Sequence, residues 1–149
     1  MTFVLDTDIL IAYIRSNAVK AEVENRFDPF AAAQTPIISS VTEGELESLA
    51  LQLDWGLTKR KALVTILEQT VVIHPGVRSI IDRYAEIDAF SQGRHPDKRT
   101  NFSSRNMGKN DLWIAATASI LEVPLLTTDA DFRHLDKEFL QLHYIDTKR

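Results

Sequence analysis

Acidic side chains fall at four places in this chain where an apolar segment ends or a helix begins. One pair follows the apolar run FVL, and another follows the strand-like PIIS. A single acid opens the alanine-rich LWIAATASIL, and a last pair follows PLLTT. These acids are Asp6 and Asp8, Glu43 and Glu45, Asp111, and Asp129 and Asp131. Carboxylate oxygens without His or Cys suit Mg²⁺ or Mn²⁺, which can activate water and stabilise the charge on a phosphate during its cleavage.

Each acid also has a simpler structural interpretation. Asp6 or Asp8 could cap the first helix, and Asp129 could cap the short turn DADFRHL, because aspartate is common at helix starts. The acids taken together favour a site, since every strand-to-helix junction that bears one lies at the same edge of a parallel sheet. Carboxylates gathered there would raise one another's pKa unless a cation is bound.

The second pair needs a choice between two glutamates. The run Ser40-Val41-Thr42-Glu43 fits a capping box, in which Glu43 accepts from the backbone N–H of Ser40. That structural task would leave Glu45 to face the site, although both glutamates flank the same apolar stripe of the predicted helix.

Three further residues adjoin the acids. Asn110 is a candidate N-cap that would place Asp111 in the first helical turn, where backbone N–H groups favour an anion. Thr127 or Thr128 could hold a water or a metal-ligand oxygen. The four histidines are scattered without ligand spacing and receive no role.

Strands and helices must alternate to bring these acids together. Apolar runs and helical periodicity predict an α/β fold, a parallel sheet of about five strands with helices on both faces. The predicted strands are 2–5, 36–40, 71–73, 123–128 and 142–146, and the helices include 18–27, 77–90 and 111–121.

Size and composition are those of an ordinary globular domain. The length of 149 residues predicts one domain over 1–149, and the lack of cysteine excludes disulfides and thiol chemistry. The sequence contains no basic segment followed by a long apolar run, a pattern that argues against secretion or membrane spanning, so we expect a cytoplasmic protein without membrane contact.

One basic segment stands out from an acidic chain. The net charge is −4, whereas residues 92–110 carry five bases against one acid. Such a segment is either a solvated loop or a contact for a polyanion. Its bases, the candidate RNA contacts, are Arg94, Lys98, Arg99, Arg105 and Lys109.

The acidic motifs, in their order along the chain, resemble those of the PIN-domain family. LDTDILIAYI is similar to the family's opening motif, and ISSVTEGELESL to its second motif, aligned on Glu45. NDLWIAATA and LLTTDADF are similar to the third and fourth. The motifs span residues 3 to 132, nearly the whole chain. Asp8 stands where many members have asparagine.

The resemblance, with the single-domain size, points to VapC-type toxin ribonucleases of type II toxin–antitoxin pairs. It implies an endoribonuclease that uses Mg²⁺ or Mn²⁺ and a metal-activated water, leaving 5′-phosphate and 3′-hydroxyl ends. It also implies a homodimer and a cognate antitoxin that blocks the cleft. Carried over by position, the catalytic acids are Asp6, Glu45, Asp111 and Asp129, the metal ligands Asp6, Asp111 and Asp129, and the auxiliary residues Asp131, Asp8 and Thr127.

Two alternatives belong to other classes. LDTDIL also fits the Asp-x-Asp nucleophile motif of haloacid-dehalogenase-like phosphatases, but no cap-like insertion is present and the DLWIAATA helix would be unexplained. The other alternative is a PIN-like module that binds RNA without cutting it; such modules usually lose acids, which this chain retains.

Overall fold

The computed structural model describes residues 1–147 and contains a parallel sheet covered by helices. The strands are β1 (Val4–Leu5), β2 (Ile37–Ser39), β3 (Val71–Ile73), β4 (Leu125–Thr127) and β5 (Leu142–Tyr144). The helices are α1 (Thr7–Arg15), α2 (Ala18–Arg26), α3 (Ser40–Gln52), α4 (Leu57–Glu68), α5 (Arg78–Ser91) and α6 (Lys109–Leu121), with a 3₁₀ helix over Ala130–Leu135. The predicted α/β fold is confirmed.

The strand order places β1 at the centre of the sheet. The order is β3-β2-β1-β4-β5, and every neighbouring pair is parallel. Val4 pairs with Ile37 on one side and Leu125 on the other. Parallel strands present their carboxyl ends at a single edge. The residues that follow β1, β2 and β4 therefore meet there.

Alternation along the strands divides the core between two faces. Leu5 and Leu126 pack with residues of α1, α3 and α4, whereas Val4 and Leu125 pack with α5 and α6. Successive strand side chains point to opposite faces, so strands buried on both sides are continuously apolar. Helix α6 is buried on most of its surface, as its alanine-rich sequence predicts.

Two predicted helix caps are wrong. The N-cap of α3 is Ser39, whose hydroxyl accepts from the Val41 N–H at 3.1 Å, so α3 begins one residue before the predicted capping box allows. No bond from Glu43 back to Ser40 is found within residues 1–147. Helix α6 begins after Gly108, which places Asn110 inside the helix. Asp111 still lies in the first turn, as predicted.

The helices of the described part of the chain include none that is both long and apolar enough to cross a membrane.

Candidate metal centre

Asp6 is a buried carboxylate that accepts hydrogen bonds from the start of α1 and from the end of β4. It follows β1 and is 5% exposed. Its Oδ1 accepts from the Thr7 N–H at 2.8 Å, so it does cap α1. Its Oδ2 accepts from the Thr127 hydroxyl at the end of β4, at 2.7 Å. The capping role and a place at the sheet edge are therefore compatible.

Asp8 connects α1 to the turn after β4. Its Oδ2 accepts from both the backbone N–H of Thr128, at 3.2 Å, and the Thr128 hydroxyl. Its Oδ1 is buried and has no hydrogen-bond partner among residues 1–147. The side chain that stands where many PIN domains have asparagine thus fixes the start of the turn that carries Asp129.

Three carboxylates in the described residues lie close enough together to hold a metal ion. Asp111, Asp129 and Asp131 each offer an oxygen, and these oxygens all lie within 4.8 Å of one another. The turn is shaped by two local bonds: the Asp129 N–H donates to Thr127 Oγ1, and the Asp131 N–H donates to Asp129 Oδ1, both at 2.9 Å. Asp131, predicted to be auxiliary, lies in this group, whereas Asp6 does not.

The charges at the site destabilise one another. Burial, followed by the charges of Asp129 and Glu45, raises the pKa of Asp111 to about 6. Burial and the neighbouring Asp8 carboxylate hold the pKa of Asp6 well above its usual value, against the stabilising Thr127 bond. Burial also raises the pKa of Asp8. The acids predicted from four chain segments therefore lie close enough to interact.

Glu45 reaches the site through a residue that the sequence interpretation missed. The Thr7 hydroxyl donates to Glu45 Oε1 at 2.7 Å and lies 3.1 Å from the hydroxyl of buried Thr42. The Glu45 charge is also among the causes that raise the pKa of Asp111. The threonine inside DTD was the available signal, because it directly follows Asp6 and is the first residue of α1, the helix that contacts α3.

The basic segment is attached to the body at several points. Lys98 Nζ lies 3.5 Å from a Glu138 carboxylate oxygen and 5.3 Å from the centre of the Phe139 ring. The Arg105 backbone N–H donates to the Ser91 carbonyl at 2.7 Å, and its guanidinium lies 5.9 Å from the centre of the Phe102 ring within the segment. Four bases of the segment have no ion pair among the described residues: Arg94, Arg99, Arg105 and Lys109. Lys98 is thus the base of this segment whose charge is already paired.

The donor set fits a hard divalent cation. All the converging groups are carboxylates, which match the ligand preference of Mg²⁺ and Mn²⁺. The raised pKa values show that the acids cannot all be charged at low cost without a neutralising cation. Asp111, Asp129 and Asp131 are placed to hold such an ion.

Comparison with known families identifies the class of this chain. Residues 3–138 match the PIN domain. The chain belongs to the PIN-domain family, as its motifs indicated, and the phosphatase alternative is excluded. Comparison with curated proteins gives no significant match.

Several solved structures have the same fold. VapBC2 from Rickettsia felis, bound to a promoter DNA fragment, contains a chain 21% identical to this one, with a TM-score of 0.72 and coverage of 98% of this chain and 100% of that chain. A chain in VapBC-1 from nontypeable Haemophilus influenzae is 25% identical, with a TM-score of 0.66 and coverage of 97% and 98%. FitAcB from Neisseria gonorrhoeae contains one 21% identical, with a TM-score of 0.60 and coverage of 95% and 96%.

Proposed function

We propose that this protein is a metal-dependent endoribonuclease and the toxin of a type II toxin–antitoxin pair. The observation that carries the proposal is the convergence of Asp111, Asp129 and Asp131 beside Asp6 and Glu45 at one edge of the sheet. A PIN-like module that only binds RNA would have no need of buried acids whose charges oppose one another.

The residues of the site divide into three tasks. Asp111, Asp129 and Asp131 would hold Mg²⁺ or Mn²⁺, which when bound supplies a Lewis acid for water and phosphate. Asp6 connects α1 to the end of β4, because its two carboxylate oxygens accept hydrogen bonds from the Thr7 N–H and from the Thr127 hydroxyl.

Glu45 is the proposed proton acceptor. Thr7 holds its Oε1, which leaves Oε2 to take a proton from the attacking water. The water oxygen bonds to phosphorus as the bond from phosphorus to the 3′ oxygen breaks, and that oxygen is protonated from solvent. The products carry 5′-phosphate and 3′-hydroxyl ends.

Support for the partners comes from the structural relatives. A structure from Klebsiella pneumoniae that shares this fold is described as a toxin–antitoxin complex, and VapBC-5 from Mycobacterium tuberculosis is described as belonging to a family of toxin–antitoxin systems. We infer that this chain binds a cognate antitoxin that covers the acidic edge, and that it forms a homodimer. Light scattering of the chain alone should give twice its 16.9 kDa mass; a monomer would contradict the dimer.

Cleavage of single-stranded RNA tests the activity. The chain with Mg²⁺ should cut a labelled RNA into fragments that a 5′-phosphate-dependent exonuclease can degrade, and EDTA should stop cleavage. Asp129→Asn should abolish cutting while the chain stays folded. Asp54→Asn, in the exposed turn after α3, is the matched control that should cut normally. Equal activity of Asp129→Asn and the control would contradict the proposal.

A further inference from the structure

A cavity of about 560 Å³ opens beside the acidic site between α1, α3 and the start of α6. Thr7 and Glu45 belong both to its lining and to the site. The cavity itself has no part in the hydrolysis described above. A chemical group bound in the cavity would therefore lie next to the phosphate that reacts at the carboxylates.

The lining of the cavity does not suit a phosphate. Glu45 is its single charged residue among those the structure describes, and no lysine or arginine lines it. Ile11 and Leu49 provide apolar surface. A second phosphate would meet a carboxylate and no cation, so a neutral group with an apolar face fits this lining better than an anion does.

Neutral hydrogen-bonding groups lie along the same walls. Gln52 Nε2 donates to Ser48 Oγ at 2.8 Å, which leaves Gln52 Oε1 and the Ser48 hydroxyl proton for a ligand. The Asn110 amide also lines the cavity and is not used as a helix cap, because the N-cap of α6 is Gly108. Amide groups pair with the donor and acceptor edges of nucleobases.

We propose that this cavity is a base-binding subsite that takes one unpaired nucleobase of the RNA, on a nucleotide adjoining the scissile phosphate, and sets the sequence preference of cleavage. The inference rests on the proposed ribonuclease function. In single-stranded RNA each phosphate is joined through a sugar to a neutral planar base, and proteins read such RNA by holding splayed bases against side chains and bonding their edges. The site has the same arrangement: charged acids that would meet the phosphate through a metal ion, and beside them a mostly neutral, partly apolar cavity that would meet the base.

Gly44 offers a direct way to obstruct the cavity. It lies within α3 on the cavity wall, and a Cβ built there meets no atom within 4 Å. Gly44→Leu therefore places a side chain in the cavity and takes up part of its volume, with a residue that suits a helix better than glycine does. Gln52→Leu is a second variant, which removes the edge contact and leaves the cavity open. Gln69→Leu, exposed at the end of α4, is the matched control.

The base preference is measured by cleaving an RNA library randomised around one site and sequencing the cut ends. An Mn²⁺ titration of each variant measures its metal affinity. Wild type and Gln69→Leu should share a preference of about tenfold for one base at a position next to the cut, because a good hydrogen-bonded contact to a base edge discriminates by about 1–3 kcal/mol. Gly44→Leu and Gln52→Leu should lose that preference and keep wild-type Mn²⁺ affinity.

Two results would count against the ideas separately. If wild type cuts no RNA, the ribonuclease proposal fails. If it cuts but has no preference, or both cavity variants keep the wild-type preference, the base-binding proposal is overturned and the cavity belongs to another occupant, such as a peptide segment.

Discussion

Replacing Thr127 by valine should weaken metal binding although Thr127 is not itself a carboxylate. The side chain is fully buried, and valine has nearly the same shape. The change removes the hydroxyl bond to Asp6 Oδ2 at 2.7 Å and the acceptor for the Asp129 N–H at 2.9 Å. A hydrogen bond to a charged group contributes about 1.5–3 kcal/mol, and an unpaired buried N–H costs about 1–3 kcal/mol.

The consequences fall on the acids that Thr127 connects. Its hydroxyl stabilises the charged form of Asp6, so its removal should raise the already elevated Asp6 pKa further. The turn that carries Asp129 also loses one of its anchors. Loss of such a supporting bond typically lowers metal affinity about 10–100-fold, and we expect a loss of that size together with about 2 kcal/mol of stability.

The assay is an Mn²⁺ titration by calorimetry, paired with urea unfolding of the metal-free chain. The control is Thr117→Val, a buried threonine whose hydroxyl donates to Trp113 O within α6 at 2.8 Å. It should lose stability and bind Mn²⁺ as wild type does. Wild-type Mn²⁺ affinity in Thr127→Val would refute the coupling of Asp6 and Asp129 through this hydroxyl.

Three further outcomes follow from the site and the basic segment. In the metal-free folded chain the pKa of Asp111 is raised to about 6, against an ordinary value of 3.8, so the free energy of unfolding should fall as pH rises between those two values. Urea unfolding in EDTA should show this fall, and saturating Mg²⁺ should abolish it. Glu45→Gln should abolish RNA cleavage without loss of stability, whereas Glu43→Gln should leave both unchanged, and equal loss of activity would defeat the choice of Glu45. Arg99→Ala should reduce the slope of log RNA affinity against log salt by about 0.7, while Lys98→Ala, whose base is paired with Glu138, should change it less; a larger effect of Lys98→Ala would contradict that ranking.

The fold was predictable because its signals are local and repeated. Short apolar runs at β1, β2 and β4 alternate with helical periodicity, and a parallel sheet follows from that alternation. Parallel strands end at one edge of the sheet, so the acids that follow them are expected at that edge. The placement of Asp6 and Asp129 at the same edge was therefore predictable without knowledge of side-chain contacts.

The details of the helix starts depended on tertiary geometry. Ser39 and Ser40 are identical in type, and the end of β2 decides which one caps α3. Asn110 has the preferred chemistry of an N-cap, yet the chain enters α6 through Gly108. Sequence propensity ranks such residues but does not fix the residue at which the backbone turns.

Connections between distant segments were also beyond the sequence. The bonds from Thr127 to Asp6 and from Thr7 to Glu45 join residues far apart in the chain. The attachment of Lys98 to Glu138 likewise could not be seen in a basic run that reads as a uniform loop. These contacts are set by packing, and they decide which acids and bases can act.

The central claim is that separate acids form one divalent-cation site, and titration of Mn²⁺ into the wild-type chain and into Asp111→Asn measures it most directly. The account predicts saturable binding by the wild-type chain that strengthens as pH rises through about 6 and is lost in Asp111→Asn. Binding that is unaffected by the substitution, or no saturable binding by the wild type above that pH, would contradict it.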